Sequence, residues 1–407
     1  MNNSNSLQLK RVITLYAMGF LLIFGYSFAR PCIDSIYLEH YSSDTLPNAW
    51  LLTAFLSAFV IAIYNRINQR YSILSLYGWL SLLCAGSLAL LLAAYFWGFI
   101  PAIFILYVWK EIYMVVLVET YWSFADMVFS ISSARHTYGL AMAVSSLGGV
   151  FGNLIVGPFA RTVGSRWALW SLVFLLILGF FIAYCARSIG DEKPQESKKT
   201  AKMGVGIKTL LQSRYLVPLA LLVCTVQVVT GLIDFKFNSM LQENYVNTDM
   251  RTEMLGYIHA TVNVVGIAIQ LCTGPILKLF GIASTFKSIP FLLAACLLAF
   301  VILPKFALML AVKISSKALD YSLLRGVKEI LYIPLSREEK TQGKGIIDIF
   351  IYRIAKGLSS ILLLSLIAIG LSAYVIELSF ALVVIWLILA IVIARRYQLL
   401  VGADENR

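Results

Sequence analysis

The chain has 407 residues, of which 60% are hydrophobic and 13% charged, and its formal net charge is +12. A mean hydropathy of +0.82 is more apolar surface than a water-soluble domain of this length needs, which excludes a soluble enzyme or nucleic-acid-binding module and points to a polytopic membrane protein. Its apolar runs are continuous and about 20 residues long, so they read as helices rather than the short alternating strands of a barrel.

The N-terminus, MNNSNSLQLKR, leads straight into an apolar run with no cleavage-site pattern, as a helix anchor does. Hydropathy then predicts twelve spans, roughly 11–29, 47–64, 73–95, 100–127, 137–157, 168–187, 214–234, 254–273, 284–303, 305–333, 345–369 and 373–394. The expected fold is therefore an all-α membrane protein of twelve transmembrane helices. Its six-helix halves are 1–187 and 214–407, joined by a basic linker, 188–213, the only long polar segment. That layout is similar to the major facilitator fold, in which two halves rock about a midplane site. The loop NRINQRY (65–71) lacks the GxxxDxxGRR pattern of typical facilitators.

Lys and Arg set the orientation. Twenty of the 33 fall on the side of the N-terminus and linker, six on the other, and seven within spans. The bias predicts cytoplasmic termini and linker, with Arg161 and Arg166 on the unexpected side. An internal echo joins GNLIVGPFARTVG (152–164) to CTGPILKLFG (272–281): each has Gly-Pro, then a basic residue, then Gly. The cysteines at 32, 84, 185, 224, 272 and 296 form no CxxC pair and fall mostly in apolar runs, which predicts buried packing residues. His40, His136 and His259 are too scattered for a metal site. No metal, cofactor or nucleic-acid partner is expected, and no nucleophile–base pair suggests an enzyme.

Charges within spans carry the functional signal, because each costs roughly 2.5–3.5 kcal/mol at membrane depth on insertion scales. Arg30 and Asp34 at the end of span one read as a helix-end feature. On span four, Glu111, Glu119, Trp122 and Asp126 project within about 80° of one another, and Lys110 lies on a neighbouring face. Such an acidic face should look into a cavity or pair with cations of spans ten and eleven. Span five holds Gly148, Gly149, Gly152 and Gly157, small residues that favour close helix packing. Asp234 and Lys236 close span seven as an interfacial pair, a role that snorkelling alone would explain.

Span ten places Lys313, Lys317, Asp320, Tyr321, Leu324 and Lys328 on one stripe of about 100°. Arg325, Glu329 and Tyr332 lie to its side. Span eleven adds Asp348, Tyr352, Lys356 and Ser359 on a second stripe, with Arg353 beside it. So many cations need an anion or carboxylates to offset their repulsion. Phosphate fits, with Lys as a point charge and Arg as a bidentate fork. A salt-bridge lock on one conformation is the alternative, and a lock charge can also be a ligand.

The segment DYSLLRGVKEILYIPLSREEKTQGKGIIDIFIYRIAKG (320–357) resembles the ATP/ADP antiporter family, the nucleotide transporters of plastids and obligate intracellular bacteria. The likeness runs through Tyr321-Ser322-Leu323, Lys328-Glu329, Tyr332 to Leu335, Lys340, Gly343-Lys344, Asp348, Arg353 and Lys356. YWSFADMVFSISSARHTYGL (121–140) and IDFKFNSML (233–241) are similar to two further family segments. Asp126 stands in place of an amide, Asp234 in place of Glu, and Phe235 in place of Trp. The resemblance implies a twelve-helix carrier and matches Lys328 to a lysine linked to substrate transport.

The reading that follows is a secondary transporter of a nucleotide or other organic phosphate anion, working by alternating access as a monomer in a bacterial inner membrane. Lys313, Lys317, Lys328, Arg353 and Lys356 would hold phosphates, and Tyr321 and Tyr332 would meet the base. Glu111, Glu119, Asp126, Asp234, Lys236, Asp320, Glu329 and Asp348 would pair with charges or couple transport to protons. A carrier of another anionic metabolite is the alternative.

Overall fold

The computed structural model describes residues 2–128, 134–187, 203–336 and 338–405, and these fold almost wholly into helices. Ten helical segments among them are long and apolar enough to cross a membrane. Contacts divide the chain into two compact units. The first comprises 1–42, 52–198 and 245–263, and the second 43–51, 199–244 and 264–407.

The first unit is built around α1 (Asn2–His40), which runs unbroken past Pro31. α1 packs on α4 (Pro101–Val128), α5 (Ala134–Val163) and α6 (Ser165–Ala186), while α3 (Ile73–Phe96) rests on α4 and α6. The glycines of α5 are what let α1 approach. A Cβ on Gly148 would stand 2.5 Å from the Phe20 carbonyl oxygen, and one on Gly152 the same distance from that of Phe24. The packing role expected of these glycines is thus realised on backbone, which cannot yield as a side chain can.

In the second unit α8 (Leu216–Asn244) is central. It packs on α11 (Phe306–Leu319), α14 (Tyr352–Ala368) and α15 (Val375–Glu405), and α10 (Ile282–Ile302) packs on α11 and α15. A short helix, α7 (Met203–Gln212), precedes α8. Most of α2 (Leu46–Asn68) belongs to the first unit, and α9 (Thr248–Phe280) begins there and ends in the second.

The echo seen in the sequence has a structural meaning. Pro158 and Pro275 lie inside α5 and α9, and Gly164 and Gly281 end those helices at φ 90° and 75°. Each glycine N–H closes the helix onto a carbonyl four residues back, Ala160 or Leu277, and each carbonyl then accepts the first bond of the next helix. Only glycine enters that left-handed region without strain.

Spans ten and eleven are not regular helices. α11 passes into a π-helical turn at Asp320–Leu324, then α12 (Arg325–Leu331). The return begins with a second π turn at Glu339–Gly343, followed by α13 (Lys344–Ile346), a third π turn at Ile347–Ile351, and α14. A π turn holds an extra residue, so the faces before and after it slip by about one residue's 100°. The single stripe drawn from Lys313 to Lys328 is therefore broken at Asp320.

The cysteines also depart from expectation. Cys32 and Cys84 are buried, Cys224 and Cys296 are half-buried, and Cys185 and Cys272 are exposed on α6 and α9, where lipid rather than core would meet them.

Candidate functional site

Lys313 and Lys317 stand one turn apart on α11, so their side chains leave the same face. Both reach one carboxylate. Asp234 on α8 accepts from Lys313 Nζ at 2.6 Å through one oxygen and from Lys317 Nζ at 2.8 Å through the other. Only 4% of the Lys313 side chain is exposed, and its ammonium lies 4.8 Å from the centre of the Phe237 ring. Asp234 is therefore not an interfacial partner of Lys236, as its place near a span end suggested. It is the counter-charge of the buried Lys313 and the half-buried Lys317, and Lys236 takes no part in that group.

Beyond the first π turn the partners change. Lys328 on α12 donates to Asp348 at 2.8 Å, and Lys344 donates to Glu329 at 2.5 Å. The side chains of Lys328 and Asp348 keep 22% and 29% of their surface, so this pair is open to solvent where Lys313 is not. Asp320 interacts electrostatically with Lys317, Arg325, Lys328 and Lys356, which places four cations around one acid. Lys356 lies 5.2 Å from the centre of the Tyr352 ring, and Arg353 is half-buried on α14.

The two tyrosines expected at a base differ. Tyr321 is half-exposed and available. Tyr332 is 3% exposed, its hydroxyl has no hydrogen-bond partner among the described residues, and Lys344 sits over its ring at 5.4 Å. That ring is a packing surface beneath a lysine and leaves no open face for a base.

Across α8 and the 313–356 segment, Lys313, Lys317, Arg325, Lys328, Lys344 and Lys356 interact with Asp234, Asp320, Glu329 and Asp348. The six cations exceed the four acids by two charges. An anion carrying several charges is the natural complement of such a site.

The first unit holds a different cluster. Lys110 on α4, 2% exposed, donates to Asp34 on α1, and Arg30 lies 3.7 Å from the same carboxylate. The Lys110 ammonium is 3.5 Å from the centre of the Tyr107 ring and 3.9 Å from Glu111, which also accepts from the Tyr26 hydroxyl at 3.2 Å. Two cations and two acids cancel within this cluster, unlike the cation-rich set of the second unit. Glu111 thus belongs to a network of α1 and α4. Glu119 and Asp126 are exposed on α4.

Two features escaped the sequence reading. Arg161 pairs with Glu253 and Arg166 with Glu39, each at 2.5 Å, which neutralises the two cations on the unexpected side. Arg251 donates to the carbonyls of Ser35 and Tyr245, both at 2.9 Å, while Asp249 accepts from Ser165 N–H and Oγ at 2.7 and 2.6 Å. Residues 245–253 fall between the seventh and eighth predicted spans, and no spacing rule would have paired them with α1 or α6. Among the described residues no cluster of His, Cys, Asp and Glu could hold a metal.

Comparison with known proteins adds independent findings. A family model described as TLC ATP/ADP transporter matches residues 80–397. The chain is 24% identical to ADP,ATP carrier protein 1 of Chlamydia muridarum, covering 93% of this chain and 87% of that one. It is 21% identical to ADP,ATP carrier protein 3 of Rickettsia conorii, covering 63% and 61%. Among solved structures, the nucleoside transporter NupG superposes with a TM-score of 0.62 at 13% identity, over 97% of this chain and 98% of that one. The POT family transporter PepTSo does so at 0.65 and 11%, over 98% of each. At such identities the structures speak for the fold alone, which this chain shares with them.

Proposed function

Because this chain belongs to the TLC ATP/ADP transporter family, we propose that it exchanges nucleotides, ATP and ADP or closely related organic phosphates, across a membrane by alternating access. It is an integral membrane carrier and not an enzyme. The observation that carries the substrate class is the excess of two positive charges around Asp234, Asp320, Glu329 and Asp348. In the empty carrier those carboxylates hold the lysines in place. An arriving polyphosphate competes for the same ammonium groups, so loading exchanges one set of anionic partners for another with little net loss of ion pairing.

The more open Lys328–Asp348 pair is the first that a phosphate would enter. Lys313 and Lys317, held by Asp234, form the deeper receptor, with Arg353 and Lys356 on α14 and the exposed Tyr321 ring completing the set. The chain is read as twelve spans in two halves, 1–187 and 214–407, with α11–α12 and α13–α14 supplying the two interrupted ones. The basic bias supports cytoplasmic termini and linker in a bacterial inner membrane, and no feature calls for more than a monomer.

The test is uptake of labelled ATP by proteoliposomes with and without ADP inside. Uptake that requires internal nucleotide and falls in Lys328→Ala supports the exchanger. Uptake driven by a pH gradient with empty vesicles would replace exchange by symport, and failure of every nucleotide to enter would remove the substrate class.

A further inference from the structure

The linker helix α7 (Met203–Gln212) has two dissimilar faces. Inward, Thr209 donates to Glu338 at 3.3 Å, Ser213 just past the helix donates to Glu339 at 2.6 Å, and Leu210 is buried. These contacts tie the helix to the turn that joins α12 to α13. Outward, Ile207 and Leu211 are 41% and 70% exposed, and Lys208 and Arg214 are exposed beside them. Ile207, Lys208 and Leu211 fall within about 100° of one another on the helix, and Arg214 is exposed just past its end. No acid occurs between Lys198 and Leu216, while Lys198, Lys199 and Lys202 add to the cations of the chain entering the helix.

Three residues separate the end of α7 from Leu216, where the membrane-crossing helix α8 begins. The helix therefore lies at the rim of the bilayer. A short amphipathic helix with apolar groups flanked by cations is suited to the headgroup boundary, and the anionic charge of a leaflet supplies the counter-ion that its own sequence lacks.

We propose that the outward face of α7 rests on the anionic surface of the adjoining leaflet, with Ile207 and Leu211 entering the headgroup boundary and Lys208 and Arg214 against lipid phosphates. The helix is then a strap between lipid and transport machinery. Its inner side holds, through Glu338 and Glu339, the turn between the segments that carry Lys328 and Asp348. The proposal concerns the membrane surface and stands apart from the identity of the substrate.

An environment-sensitive fluorophore on Leu211→Cys, in a full-length chain with Cys185 and Cys272 replaced by serine, reports the contact directly. In vesicles of phosphatidylcholine mixed with phosphatidylglycerol the emission should shift to the blue relative to phosphatidylcholine alone. Lys208→Gln with Arg214→Gln should reduce that lipid preference by roughly tenfold or more, since each cation near an anionic surface is worth about a fivefold change in binding. Identical emission in the two vesicle types would overturn the proposal, and would leave a soluble partner as the occupant of this face. The unlabelled chain gives a second measure: tryptic cleavage after Lys208 and Arg214 should slow when phosphatidylglycerol is present, and an unchanged rate would also sink it. Neither readout uses nucleotide transport, so failure here is distinct from failure of the exchanger reading.

Discussion

Asp234 and Lys313 are 79 residues apart in the chain and 2.6 Å apart in space, with Lys317 completing a triad on the same carboxylate. Replacing one partner of a buried ion pair leaves the others uncompensated at a cost of about 3–5 kcal/mol, whereas removing the pair together is far less harmful. Asp234→Asn should therefore lower the Tm of the purified carrier markedly. The double variant Asp234→Leu/Lys313→Met, which leaves one such lysine instead of two, should recover part of that loss. A double variant no more stable than Asp234→Asn would show that the triad does not hold the fold in this way.

Lys328 and Asp348 make the contrasting case. Both keep appreciable solvent contact, and exposed pairs are worth only about 0–1 kcal/mol. Lys328→Ala should leave Tm nearly unchanged while cutting nucleotide exchange by an order of magnitude or more, the scale expected when a charge-assisted phosphate contact of about 1.5–3 kcal/mol is lost. Lys328→Arg should recover part of the rate. Parallel loss of Tm and transport in the alanine variant would assign Lys328 to structure rather than to substrate.

How much of this was legible in the sequence depends on the range of the interaction. The Pro158–Gly164 and Pro275–Gly281 runs were visible as an echo because each is a local pattern, but the pattern alone suggests a repeat rather than the helix ends they form. The concentration of charge from Lys313 to Lys356 was equally plain, because each charge is costly where it stands. Partner choice was not. Asp234 meeting Lys313, and Lys110 meeting Asp34, depend on which helices pack together, and periodicity says nothing of that. The π turns were hidden for a related reason: an extra residue in a helical turn is stabilised by tertiary contacts, and nothing in DYSLL or IDIFI forbids an ordinary α turn.

The cluster in the first unit gives an ordered prediction. Lys110→Met leaves Asp34 with Arg30, 3.7 Å away, while Asp34→Asn leaves the buried Lys110 with the more exposed Glu111 at 3.9 Å. The second loss should be the larger, by about 1–3 kcal/mol for the better-paired remnant in the first. Thermal unfolding of both variants checks the order, and a more damaging Lys110→Met would show that Asp34 depends on the lysine more than on Arg30.

Helix approach in the first unit should be sensitive to a single methyl group at one site and not at another. A Cβ at Gly152 would stand 2.5 Å from the Phe24 carbonyl oxygen, whereas one at Gly86 on α3 meets nothing within 4 Å. Gly152→Ala must push α1 away from α5, an overpacking cost of about 1–3 kcal/mol. Gly86→Ala should be neutral or stabilising by about 0.5–1 kcal/mol, because alanine loses less entropy in a helix. Equal Tm values for the two variants would mean that the α1–α5 approach has room to spare.

The turn between α12 and α13 should respond to acid. Burial raises the Glu339 carboxyl, but the hydrogen bonds from Ser213 and Ser336 outweigh it and hold the group below its ordinary value of 4.5. A carboxylate depressed in the folded chain stabilises it fully above its unfolded value, and that contribution fades as pH falls through the lower folded value. Amide exchange across 338–343, corrected for its intrinsic pH dependence, should therefore report constant protection from neutral pH down to about pH 5, then lose it on further acidification. Ser213→Ala removes one of the bonds that depress the group, so its loss should be smaller and complete at a higher pH. A transition at the same pH in both proteins would show that the α7 junction does not grip this turn through Glu339.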